Sequence, residues 1–233
     1  MAQISVVLNI NSELIVKDPQ QTELGQRIVR EGIVLIDKIG FESFTFKKLA
    51  KCIGSTEASI YRYFKNKHLF FVYLINWYWE WTSFRISFNT MNLTDAKDKL
   101  RQVIHTIVDT SQKRASVEYV NTDILHRIVV TEGTKAYHGK YVDKENKMGF
   151  FLSYKALCKK IALIISEVNS EYPYSNSLAS MLIETANNNI YFAEHLPRLT
   201  DIEYSDNCSA SIETMLENMI FSCLLCDPAT LQK

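Results

Sequence analysis

The chain has 233 residues, with 26 Lys and Arg against 26 Asp and Glu, so it is electrically balanced and long enough for one large domain or a small domain joined to a larger one. That balance excludes a uniformly basic nucleic-acid coat, and 47% hydrophobic with 22% charged residues excludes a disordered chain. Only 7 Gly and 4 Pro leave too few turn-formers for a strand-and-turn sandwich, so a mostly helical fold is expected.

The first twenty residues read differently from the rest. Ile4, Val6, Leu8 and Ile10 alternate with Ser5, Val7 and Asn9, the period of a strand. Asn11 and Ser12 supply a turn, residues 14–17 return as a second short strand, and Pro19 ends it; a partly ordered arm is the alternative. No basic residue precedes this apolar run and no small-residue cleavage pattern follows it, so no secretory signal is expected. The longest hydrophobic stretch, residues 69–81, contains Asn76 and Glu80 and falls short of the roughly 20 residues that span a bilayer. No membrane partner is expected, and the reading is cytoplasmic. Five scattered cysteines fit buried thiols in a reducing compartment; Cys223 and Cys226 form a lone C-x-x-C without a second pair or a neighbouring histidine, so no metal site is assigned.

From Thr22 the period becomes helical. Leu24, Ile28, Gly32, Leu35, Ile36 and Ile39 keep one face apolar or small, and Gly40 provides a stop. Thr45 caps a second helix over 46–52, with Phe46, Leu49 and Ala50 inward and Lys47, Lys48 and Lys51 outward. Gly54 sits where that helix must end in a left-handed residue, Thr56 caps a third helix through about Phe64, and a fourth runs over about 66–89. Further helices are predicted over 94–114, with Thr94 as cap, and over 116–131. A loop over 133–141 precedes a long amphipathic helix marked by Phe150, Tyr154, Leu157, Ile161, Ile164 and Val168, and two last helices span 177–196 and 209–225. The predicted fold is all-α. An arm over 1–20 leads into a three-helix domain over 21–67, followed by a larger helical bundle over 68–233.

The charge is not evenly spread. Residues 21–67 hold nine bases against five acids, a net +4, which leaves 17 bases and 21 acids, a net −4, for the remainder. A short basic block joined to a longer acidic one points to a polyanion met by the first part alone. Within that block Ala50, Gly54 four residues later and Ile60 six further on have helix-turn-helix spacing. A larger side chain at 50 would separate the two helices, a β-carbon at 54 would oppose the turn, and Ile60 closes the small core.

The string G-F-E-S-F-T-F-K-K-L-A-K-C-I-G-S-T-E-A-S-I-Y-R-Y-F-K-N-K-H-L-F, residues 40–70, resembles the DNA-binding module of the TetR family of bacterial transcriptional regulators. The match rests on Gly40-Phe41, Thr45, Leu49-Ala50, Gly54, Ile60-Tyr61, Tyr63-Phe64 and Asn66-Lys67, and covers residues 22–75, about a quarter of the chain. It implies a homodimer on double-stranded palindromic DNA, with the third helix in the major groove. Thr45 and Lys67 are then phosphate contacts, and Lys47, Lys48 and Ser55 join the interface. Thr56, Glu57, Ala58, Ser59, Tyr61, Arg62 and Tyr63 lie on or beside the recognition helix, Arg62 being suited to guanine and Ser59 to either kind of base edge. The family commonly carries a basic or small residue where Glu57 stands; the carboxylate serves either the positive helix N-terminus or a cytosine amino group.

The resemblance also implies a dimer interface on the last two long helices and an effector pocket for an unknown small molecule, for which Trp77, Trp81, His105, His126, Tyr154 and Asn188 are the lining candidates. The functional expectation is a ligand-responsive regulator, a repressor released by its effector, with no cofactor. The alternatives are a helical interaction module without DNA binding and a helical enzyme. The enzyme reading has little to rest on: there is no phosphate-binding loop, no G-x-S-x-G and no H-E-x-x-H, and His68, His105, His126, His138 and His195 are scattered.

Overall fold

The computed structural model describes residues 8–109 and 119–225, and no β-strand is present among them. The described residues form ten α-helices: α1 (Glu23–Ser43), α2 (Phe46–Cys52), α3 (Glu57–Tyr61), α4 (Lys67–Thr90), α5 (Ala96–Val108), α6 (Thr122–Glu132), α7 (Val142–Lys147), α8 (Leu152–Val168), α9 (Ser175–His195) and α10 (Cys208–Leu225). None of them is long and apolar enough to cross a membrane. They divide into two compact units, one holding the described residues through Trp81 and those from Tyr119 to Tyr154, the other those from Thr82 to Asp109 and from Lys155 onward.

In the first unit Thr22 caps α1 by accepting the Gly25 N–H at 3.1 Å, and Gly40, at φ 73°, breaks the helix where the sequence placed its stop. Ile28, Val29, Ile33 and Ile36 form the buried stripe of α1. Between them Gly32 leaves a gap that the Phe70 ring of α4 enters; a Cβ built at Gly32 would lie 2.3 Å from Phe70 Cζ. Phe70 in turn stacks on Phe44 with ring centres 5.5 Å apart and meets Phe64 edge-on at 4.9 Å and Phe46 at 6.3 Å. Residues 70–79 of α4 are buried without a break, so aromatic and aliphatic side chains surround the helix there. One buried polar residue interrupts that run: Asn76 donates both amide hydrogens, to the carbonyls of Val72 and Phe150, each at 2.8 Å.

Helix α6 is capped by Asn121 and buries Leu125, Ile128 and Val129, packing on α1, where Arg127 holds both carboxylate oxygens of Asp37 at 2.7 and 3.0 Å. Helix α7 buries no residue and is tied to α4 by Glu145 and His68, 2.7 Å apart. The second unit packs α5 against α9 and α10. Its core includes Leu100, Val103, Ile104, Leu157, Ile161, Leu182, Ile212 and Leu216. Arg85 and Asp109, both largely buried, pair at 3.1 Å, and Asn169 donates to the Leu224 carbonyl at the end of α10 at 2.8 Å.

Several expectations need correction. Residues 14–17 do not return as a strand: Ser12–Leu14 is a 3-10 turn capped by Asn11, Leu14 is wholly buried, and the Val16 N–H donates to the Tyr63 carbonyl at 2.8 Å. The arm's backbone thus finds partners in the helical body and has no need of a hairpin; residues 4–7 of the expected first strand lie outside the described residues. Asp95 rather than Thr94 caps α5, which ends at Val108, and Asn121 opens α6, so the starts and ends expected at 114 and 116 also lie outside the described residues. α3 is shorter than expected, continuing past Tyr61 only as a turn, and α7 lies between the expected loop over 133–141 and the helix marked from Phe150, where no element is predicted.

Two buried phenols sit beside this aromatic layer. Burial pushes Tyr73 well above its usual range, helped by the nearby Tyr119 and Asp18. Burial likewise raises Tyr119 to about 12; the Trp77 indole N–H, near it but outside strict hydrogen-bond geometry, opposes the rise, and Asp18 adds to it.

Replacing Gly32 by Ala should destabilise the protein by about 1–3 kcal/mol in urea unfolding, because Phe70 must leave its seat. Gly139→Ala, where nothing lies within 4 Å of the added carbon, should stay within about 0.5 kcal/mol; equal effects would refute the packing argument. The raised phenols give a second prediction. A folded-state pKa above the unfolded value of about 10 contributes stability that is fully present below that pH and is lost as pH rises through the folded value. Unfolding free energy should therefore decline as pH passes from about 10 to about 12, and Tyr119→Phe should flatten the decline. An absorbance titration should find two phenols still neutral after the exposed tyrosines have ionised.

Candidate nucleic-acid interface

The turn between α2 and α3 is fixed by its own backbone. Thr45 accepts the Lys48 N–H at 3.2 Å to start α2, and Gly54 at φ 60° ends it. The Ser55 N–H returns to the Ala50 carbonyl at 2.9 Å and the Gly54 N–H to Lys51 at 3.4 Å, the paired bonds of a left-handed helix stop. Thr56 then caps α3 by accepting the Ser59 N–H at 3.3 Å. Leu49, Ala50, Ile53 and Ile60 close the space between the two helices. The three positions that give helix-turn-helix spacing in the sequence therefore have the roles their chemistry predicts.

The predicted contacts fall into two sets. Thr45, Lys47, Lys48, Thr56, Ala58, Tyr61 and Arg62 are exposed, and Ser55, Glu57 and Lys67 are partly so. Tyr61 is 50% exposed and braced edge-on by Phe46 at 5.2 Å, so its phenol is presented outward from a fixed ring. Ser59 and Tyr63, at 9% and 4%, face inward. The Ser59 hydroxyl lies 3.0 Å from that of Thr56 and accepts from Arg62 at 3.2 Å, which aims the guanidinium. The Tyr63 hydroxyl meets Thr22 at 2.8 Å, and Lys17 lies over its ring at 5.5 Å. Ser59 and Tyr63 thus hold their neighbours in place. Lys51 and Lys65, in the same basic block, are also exposed and are not among the predicted contacts.

Three side chains fix the bend between α1 and α2. Lys67 donates to the carbonyls of Phe41 and Glu42 at 3.2 and 3.0 Å and lies 4.8 Å over the Phe41 ring. Lys48 donates to the Ser43 carbonyl at 2.7 Å. From α6, Glu132 accepts the Phe41 N–H at 3.2 Å while pairing with Lys135. Two bases thus bind carbonyls at the end of α1, and one acid takes an amide. This clamp was invisible in the sequence, since Glu132 lies 91 residues from its partner.

Glu57 stands in the first turn of α3, partly exposed, where it suits the helix start. The effector candidates are split between the units. Trp77 and Trp81 stack at 6.0 Å, Tyr154 stacks on Trp79 at 4.8 Å, and His126 Nδ1 lies 2.5 Å from the Tyr78 hydroxyl, all in the first unit. His105, paired with Glu213 at 3.0 Å, and Asn188 lie exposed in the second unit. Among the described residues there is no group of three or more His, Cys, Asp or Glu arranged to hold a metal ion. Cys223 is exposed on α10, while Cys226 lies outside the described residues.

Comparison with known proteins converges on the same segment. Residues 28–74 match the model of bacterial regulatory proteins, tetR family. The nucleoid occlusion factor SlmA of two Haemophilus influenzae strains is 32% identical over 83 residues, 36% of this chain, so the chain matches only 38% of the length of these curated relatives. Among solved structures, a tetR-family bacterial regulatory protein from Rhodococcus RHA1 has a TM-score of 0.62 at 12% identity, covering 89% of this chain and 100% of that one. AibR, crystallised with isovaleryl coenzyme A and operator DNA, has a TM-score of 0.58 at 11% identity, covering 84% and 98%. These structural likenesses concern the fold. The family match falls on the capped helices, the left-handed turn and the Gly32–Phe70 seat described above, so residues 28–74 are similar to the DNA-binding module of bacterial regulatory proteins of the tetR family.

Proposed function

We propose that this protein is a DNA-binding transcriptional regulator that reads a palindromic operator as a homodimer and acts as a repressor released by a small-molecule effector. The observation that carries the reading is the exposed set Lys47, Lys51, Tyr61 and Arg62 on a rigid helix-turn-helix. Lysines and the tyrosine hydroxyl suit phosphates, and Arg62, aimed by Ser59, suits a base edge. One module offers few contacts, and a twofold pair doubles them on half-sites about 34–36 Å apart. The α9 and α10 pair is the proposed interface, with Met181, Met219 and Leu225 exposed on it. DNA as target places the activity in the cytoplasm.

For the effector, the aromatic cluster around Trp77, Trp81, His126 and Tyr154 favours an apolar or aromatic molecule, which must part these packed rings to enter. AibR is a fold neighbour whose structure includes an acyl coenzyme A and operator DNA. Binding releases DNA only where the ligand prefers one of the two states of the reading head. The clamp on the α1–α2 bend, through Glu132, is one element such a ligand can bias.

A second reading has a specific source in the curated relatives, which are nucleoid occlusion factors. On that reading the same reading head serves chromosome-wide binding instead of control of a promoter. Mapping bound sites in cells separates the two, since a regulator should occupy a few promoters and an occlusion factor many scattered sites.

Duplex binding should weaken steeply with salt, and Lys47→Ala or Lys51→Ala should each lower the slope of log affinity against log salt by about 0.9 with no change in sequence preference. Arg62→Ala should cost about 1–3 kcal/mol and relax preference at one base pair. Salt-independent or absent duplex binding would sink the reading. Glu132→Ala should speed hydrogen exchange at the Phe41 amide and weaken operator binding, whereas Glu132→Gln, which keeps an acceptor, should preserve most of both.

A further inference from the structure

A cavity of about 220 Å³ lies between the N-terminal arm and α4, and neither Trp77 nor Trp81 of the cluster proposed for the effector is among its lining residues. Leu8, Ile10 and Ile15 form its apolar wall, Asp18 brings a carboxylate, and Tyr73 lines it from α4. About 150 Å³ suffices to hold a benzene ring, so this space takes a ring with a short substituent.

The walls are fixed. The Gln20 side-chain amide accepts from the Leu8 N–H at 3.1 Å and donates to the Leu8 carbonyl at 2.9 Å, pinning one end of the arm. Asn11 donates to the Met148 carbonyl at 2.9 Å, and the Val16 N–H holds the other end to Tyr63. A site held in this way needs little ordering when a ligand enters.

Two of its polar groups, on Tyr73 and Asp18, lack partners of the right kind. The Tyr73 hydroxyl is fully buried and makes no hydrogen bond, a costly state that a ligand donor or acceptor would relieve. Among the described residues the Asp18 oxygens accept only from the Gln20 N–H at 2.9 Å and Gln21 Nε2 at 3.0 Å, and no base pairs with this carboxylate. An unpaired carboxylate at an apolar cavity selects a cation that carries N–H donors. We propose that this cavity binds a small primary or secondary ammonium compound with an apolar body, its nitrogen held between Asp18 and the Tyr73 hydroxyl and its body against Leu8, Ile10 and Ile15. Because the arm also carries the contact to Tyr63, such a ligand would sit beside the reading head.

The test is calorimetric titration of the full chain with benzylammonium, benzyl alcohol and benzoate, three compounds of one shape and different charge. Benzylammonium should bind saturably, with affinity on the order of millimolar for so small a ligand. Benzyl alcohol should bind more weakly and benzoate not at all. Asp18→Asn, which keeps an oxygen for the cap of residues 19–21, should weaken benzylammonium about tenfold or more, the loss of one charge-assisted bond. Tyr73→Phe should weaken it several-fold, with circular dichroism confirming that each variant is folded. Ile15→Trp, which fills the space, should abolish binding and serves as a check should Tyr73→Phe fail to fold. Absence of saturable benzylammonium binding, the outcome if water alone occupies the cavity, would overturn the proposal. So would benzyl alcohol binding as tightly as benzylammonium, or affinity unchanged in Asp18→Asn. The readout needs no DNA, so it stands or falls apart from the DNA-binding reading.

Discussion

The reading head depends on one ring seated against one missing side chain. Phe70 enters the gap at Gly32, which lets α4 approach α1 closely, and Phe44, Phe46 and Phe64 assemble on the same ring. Those three phenylalanines come from the bend after α1, the start of α2 and the turn after α3. A single buried ring thus sets the positions of all three helices that precede α4. Burying such a side chain is worth about 1.5–3 kcal/mol by area alone, and its larger value here is positional.

Around that apolar centre the polar side chains divide into those that fix the head and those that face outward. Lys48, Ser59, Tyr63 and Lys67 are of residue types suited to nucleic acid, yet each is engaged with a carbonyl or hydroxyl of the module itself. Lys47, Lys51, Tyr61 and Arg62 are outward. Residue type alone does not separate these sets, because a lysine covering helix-end carbonyls and a lysine awaiting a phosphate have the same sequence signature. What distinguishes them is the path of the chain at the α1–α2 bend, which is settled by contacts to α4 and α6.

The local features of the fold were legible for physical reasons. Thr45, Gly54 and Thr56 act within four residues of their own positions, so the caps and the left-handed turn follow from chain chemistry. The long apolar periods gave α1, α4, α8, α9 and α10. Other features depend on distant partners: the turn at Ser12–Leu14 is stabilised by the burial of Leu14 and the bond from Val16 to Tyr63, neither visible in an alternating apolar pattern. Helix α7 buries nothing and so leaves no period to read. Ser59 and Tyr63 were grouped with outward residues because a short helix beside a buried seam has almost no face to spare. The pairing of Thr22 with Tyr63 spans 41 residues, beyond any local signal.

The position of Lys67 carries a consequence for the economy of binding. An ammonium group has three N–H donors, and here two are spent on the carbonyls of Phe41 and Glu42. A flexible lysine that seizes an anion must give up about 1.5–2 kcal/mol of rotamer freedom at that moment. Lys67 surrendered its freedom when the chain folded, so its third hydrogen carries little further ordering cost. An anion arriving there would meet a charge whose ordering had been completed in advance, and its grip would be transmitted to the bend without any intervening loose segment.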